Sequence, residues 1–147
     1  MTLWEAVRKA KRVFLIGNGG SAANAIHIAN DWVACGIDAR PLLDIATITA
    51  IANDFGYEYI FSRQIKVIGK EGDLLVALSG SGKSLNILCA IKAAKKKNMT
   101  VWAILGNRYS PAKKLADYTI VRDTNMQGAE ELQLRIGHDV MRCLKLS

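Results

Sequence analysis

Five short apolar runs, at residues 13–17, 41–45, 73–79, 100–105 and 118–121, alternate with stretches whose apolar residues recur at helical spacing. No other feature constrains the fold as much. A run this short, ended by glycine or a charge, fits a strand covered on both faces better than a buried helix. Between the runs, residues 21–35 carry apolar side chains at 22, 25, 26, 29, 32 and 33. Residues 85–94 repeat the period at Leu85, Leu88, Ile91 and Ala93, and the last segment does so at Leu132, Leu134, Ile136, Val140, Met141 and Leu144. Residues 46–70 read as two further helices without a strand. Strands alternating with helices predict an α/β, doubly wound, flavodoxin-like fold with a five-stranded parallel sheet. The 147 residues make one domain over 1–147, with residues 1–11 as a short N-terminal helix.

Ligands of such sheets bind beyond the carboxyl ends of the strands, near the point where strand order reverses. After the first run stands GNGGSAAN (17–24), and after the third SGSGKS (79–84). Both are rich in glycine and hydroxyls and both open a helix, whose free N–H groups and partial positive charge suit phosphate or sugar oxygens. Ser21 and Ser84 also read as plain N-caps. SGSGKS resembles an ATPase phosphate loop, but that loop needs a glycine at residue 77, where Ala77 continues an apolar run. GNGGSA satisfies a relaxed dinucleotide fingerprint, with Asp44 as the ribose acid. The acid is distant for that motif, and the second loop has no part in it.

The formal charge of +7 admits nucleic acid or small anions. Lys92, Lys95 and Lys96 lie opposite an apolar stripe with no aromatics among them, so a solvated helix face and phosphorylated metabolites are expected, and no nucleic acid. No apolar run is long enough to span a membrane. The first residues mix charges of both signs, unlike an export signal. Cys35, Cys89 and Cys143 are odd in number and scattered, which points to a reducing cytoplasm.

His27 and Asp31, four apart, share one helix face and can hold a metal or pass a proton; an ordinary hydrogen-bonded histidine is the bland alternative. On the last helix Glu131 stands seven residues and Glu130 eight before His138, so Glu131 and His138 are nearly eclipsed. His27 and His138 are the chain's two histidines.

GNGGSAANAIHIAND, ITAIANDFGYEYIFSRQI, GKEGDLLVALSGSGKSLNILCAIKAAKKKNMTVWAILG and EELQLRIGH together resemble the sugar isomerase (SIS) fold and, more narrowly, the sedoheptulose-7-phosphate (phosphoheptose) isomerases, over roughly residues 11–145. The resemblance implies isomerisation of sedoheptulose 7-phosphate to D-glycero-D-manno-heptose 7-phosphate by a metal-assisted, enediol-type proton transfer. It further implies zinc, a homo-oligomer (tetramer or dimer), and a place in the heptose branch feeding lipopolysaccharide or related glycans. Substrate would be lined by Asn18, Gly19, Gly20, Ser21, Asn53, Asp54, Ser79, Gly80, Ser81, Ser84 and Glu130. The metal would be held by His27, Asp31, Glu130 and His138, with Asp31 and His138 sharing the proton transfers. A non-catalytic SIS protein that regulates replication initiation is the alternative, as is an isomerase of another phosphosugar; the regulatory branch usually lacks the His and acid residues retained here.

Four positions depart from the family's pattern. Asp31 stands for a glutamate, Glu130 for a glutamine, Gly80 for a hydroxyl residue, and Gln127 near a position often held by aspartate. Little of the helical N-terminal extension that assembles the family's tetramers precedes the first strand. Glu130 and His138 are separated by about 12 Å of helix rise, so both reach one ion only by leaning inward or from different subunits.

Overall fold

The computed structural model describes residues 1–147. Its centre is a parallel sheet of β1 (Val13–Ile16), β2 (Ala39–Pro41), β3 (Leu74–Ser79), β4 (Thr100–Leu105) and β5 (Tyr118–Val121), in the order β2-β1-β3-β4-β5. Register follows directly: Val13 lies beside Ala39 and Leu74, and Leu74 beside Thr100. Successive side chains on a strand point to opposite faces, and both faces are apolar. Phe14, Ile16, Leu75, Ala77, Val101 and Ala103 enter one core. Val13, Leu15, Leu74, Val76, Trp102 and Ile104 enter the other.

The first core is covered by α3 (Ile45–Asp54), α4 (Ser62–Ile68), α5 (Leu85–Lys96) and α6 (Pro111–Leu115), the second by α1 (Leu3–Lys9), α2 (Gly20–Val33) and α7 (Met126–Leu146). The N-terminal helix expected over 1–11 is α1, started by a capping box in which Thr2 and Glu5 satisfy each other's backbone N–H groups. At the amino end of the sheet, Arg12 donates to both carboxylate oxygens of the buried Asp73 and to the Ile68 carbonyl.

Two expectations are corrected. The second strand is not 41–45 but Ala39–Pro41. Pro41 cannot extend the ladder as a donor, and Asp44 breaks away to cap α3, accepting from the Thr47 N–H (2.9 Å) and hydroxyl. Those hydrogen bonds hold the Asp44 carboxyl below the ordinary aspartate value, and they give Asp44 a structural task in place of the ribose contact. Nor does Ser21 cap α2: the cap position is Gly19, with φ +56°, and Ser21 turns inward, buried. Ser84 does occupy the cap position of α5, without a side-chain cap bond.

Candidate metal and phosphosugar site

The reversal in strand order falls between β1 and β3, so the two glycine loops flank one crevice. The crevice is spanned by a reciprocal amide pair. Asn18 Nδ2 donates to Asn86 Oδ1 (2.9 Å) and Asn86 Nδ2 to Asn18 Oδ1 (2.8 Å), while the Tyr57 hydroxyl donates to Asn18 Oδ1 (3.0 Å). Beside this pair opens a cleft of about 430 Å³ lined by Asn18, Tyr57, Glu58, Ser84, Leu85 and Asn86.

The second loop is shaped by its own hydroxyls. Ser79 Oγ accepts from the Gly82 N–H (2.9 Å) and Ser81 Oγ from the Lys83 N–H (3.2 Å). Gly82 has φ +64°, and a side chain there would strike the buried Ser110 hydroxyl, so glycine is required on both counts. Gly80 is buried under the Met126 sulfur, which fills the space a side chain would take. Ser81 and Ser84 stay half-exposed beside the start of α5. Ala77 is buried within β3, so the chain makes strand where an ATPase loop would need glycine.

The histidines come together across two helices. From Ser21 and Gln133 to Ile28 and Gly137, contacts advance along α2 and α7 in step, so the helices run parallel. His27 and Asp31, one turn apart on α2, meet His138 on α7. The His27 and His138 Nε2 atoms are 3.1 Å apart, and Asp31 Oδ2 lies 3.2 Å from the first and 3.4 Å from the second. A tetrahedral ion with bonds of about 2.0–2.1 Å separates its ligands by roughly 3.3 Å. Three donors thus form one face of a zinc-sized tetrahedron, and the donor types, two imidazoles and a carboxylate, suit that ion. Asp31, though one methylene shorter than glutamate, reaches both rings.

Within one chain Glu130 does not join this group. Eight residues separate it from His138, and the straight helix carries it up to the first glycine loop, where its carboxylate packs on Gly20. A carboxylate at the amino end of α2 is favoured by the helix dipole and occupies the place an anion would take. Glu131 points elsewhere, near Gln127, Arg122 and Arg135.

The remaining expected residues are dispersed. Gly19 and Gly20 are exposed at the first loop. Ser21 is buried, its hydroxyl accepting from Gln133. Asn53 donates to Asp54 (3.0 Å) at the exposed end of α3, and neither bonds to the crevice. Asn86, Tyr57, Asn24 and Gln133 were missed by sequence reasoning. Of these Gln133 left a signal: it sits in the register Ala129, Gln133, Gly137 that faces the core.

A family profile described as SIS domain matches residues 1–106. The phosphoheptose isomerase of Burkholderia pseudomallei strain K96243 is 42% identical, over 92% of this chain and 73% of that one. Among solved structures, the phosphoheptose isomerase of Neisseria gonorrhoeae superposes with TM-score 0.92 at 29% identity, covering 99% of this chain and 82% of its own. That of Francisella tularensis gives 0.89 at 27%, covering 98% and 83%.

Proposed function

The chain belongs to the phosphoheptose isomerases of the SIS domain family, and we propose that it converts sedoheptulose 7-phosphate to D-glycero-D-manno-heptose 7-phosphate with a zinc ion held by His27, Asp31 and His138. The observation that carries the metal is the 3.1–3.4 Å triangle of donor atoms.

The reaction moves one hydrogen from C1 to C2 and one proton from O1 to O2 through an enediol. Bound zinc supplies a Lewis acid that polarises the carbonyl and stabilises the oxyanion that develops. Asp31 turns Oδ2 to the histidines, while Oδ1 makes no hydrogen bond within the chain. That second oxygen takes the proton from C1 and returns it at C2. His138 turns Nε2 toward His27 and Asp31, which favours the ligand role for that atom. Ser81, Ser84 and the amino end of α5 receive the phosphate, with Lys83 adding charge at the loop.

An assembly of copies is supported by apolar surface: Ile45 is 79% and Val67 81% exposed, and α3 buries no residue completely. No helix is long and apolar enough to cross a membrane. Three free thiols support a reducing cytoplasm, and a heptose 7-phosphate product fits a place in the heptose branch feeding lipopolysaccharide or related glycans.

Turnover of sedoheptulose 7-phosphate is measured with and without chelator, for wild type and His138→Ala. Chelator-sensitive turnover restored by Zn²⁺, with both turnover and zinc affinity lost in the variant, is the expected result. Turnover indifferent to chelator would remove the metal from the reaction. Zinc affinity retained with turnover lost would make His138 a proton carrier instead of a ligand.

A further inference from the structure

Gln133 is the one completely buried side chain that hydrogen-bonds at both of its amide atoms between α2 and α7. It lies among Ala129, Gly137 and Val140 on the face of α7 that meets α2. Its Nε2 donates to Ser21 Oγ (3.0 Å), and its Oε1 accepts from Asn24 Nδ2 (3.1 Å), which also donates to the Glu130 carbonyl (2.9 Å). One turn later the buried Trp32 Nε1 donates to the Gly137 carbonyl (3.1 Å), and His138 is the next residue.

Apolar contact alone does not fix how far one helix has slid or rolled on another, because it is non-directional. Buried hydrogen bonds do, since moving off them leaves amides unpaired in a medium without water, at about 1–3 kcal/mol per group. The metal group needs that precision. Two of its donors ride on α2 and the third on α7, so any slip between the helices changes the triangle directly.

We propose that Gln133 is a positioning residue for the metal group. Its amide locks the register of α7 on α2 so that His138 Nε2 stays opposed to His27 and Asp31. Through Ser21 it couples the first glycine loop to the same register, so the loop and the metal face move as one body. This inference rests on the metal reading given above. Gln133 touches neither substrate nor metal, and its effect runs entirely through the placement of α7.

Co²⁺ is the probe, since its visible spectrum separates tetrahedral from octahedral coordination. Gln133→Met conserves volume and deletes both side-chain hydrogen bonds. Co²⁺ affinity is measured by chelator competition well below the melting temperature, beside Ile65→Val, a core change on the opposite face of the sheet. Partners that orient metal ligands are typically worth about 10–100-fold in affinity. The expected result is a loss of about tenfold or more in Gln133→Met, with a shifted spectrum, and wild-type binding in Ile65→Val. If Gln133→Met does not fold, Ser21→Ala removes the same hydrogen bond from the other end, with a smaller loss expected. Wild-type affinity and spectrum in the folded variant overturn the positioning role, as does an equal loss in Ile65→Val. A wild-type protein that binds no Co²⁺ overturns the metal reading itself, and this inference with it.

Discussion

Glu130 shows how one side chain's position along a helix decides what it can do. Its carboxylate packs against Gly20 at the amino end of α2, two turns above the donor triangle. Glu130→Gln, which restores the residue usual in the family, is therefore expected to leave the chain's own metal affinity unchanged. It should lower stability by about 0.3–1 kcal/mol through the lost charge at the helix terminus, read by denaturant unfolding. A large gain or loss of zinc affinity would mean that Glu130 reaches the ion after all. The His27/Asp31 pair was legible because i, i+4 spacing on one helix needs no fold, whereas His138, on another helix, was joined to it only by the family resemblance. The sequence did not show that Glu130 falls outside their group, since which α7 residues face α2 at which height depends on tertiary packing. The Asn18–Asn86 pair was illegible for the same reason: its members are 68 positions apart and meet only across the strand crossover.

Among the elements, α2 and α7 carry the donor triangle, and their close approach depends on Gly137. A methyl group there would meet Ile28 side-chain carbons at 2.5–2.8 Å, and Ile28 is buried. Gly137→Ala is expected to cost about 1–3 kcal/mol by overpacking and to weaken metal binding by spreading the helices; unfolding and zinc titration on the same sample check both. Unchanged affinity at reduced stability would show that the histidines adapt to the spread. The inner strands β1, β3 and β4 were readable because burial on both faces makes them continuous apolar runs. Of the two edge strands, β2 was misplaced, because three residues ending in a proline leave little pattern and the apolar stretch after it belongs to the approach to α3.

At the scale of the molecule, strand order puts two helix-opening loops at the crevice between β1 and β3. One face of the sheet gathers the phosphate-suited loop and the other a metal-suited helix pair. The parallel α/β architecture and the crevice were legible from alternation and the two glycine-rich turns. The filling of each loop was not: Met126 over Gly80 and Glu130 on Gly20 come from the last helix, far along the chain. The measurement that bears most directly on the triangle of His27, Asp31 and His138 is X-ray absorption at the zinc edge of the metal-loaded protein. One zinc per chain is expected, with two imidazole nitrogens and oxygen donors at about 2.0–2.2 Å and no sulfur. A shell containing sulfur at about 2.3 Å, or one without imidazole, would contradict the assignment.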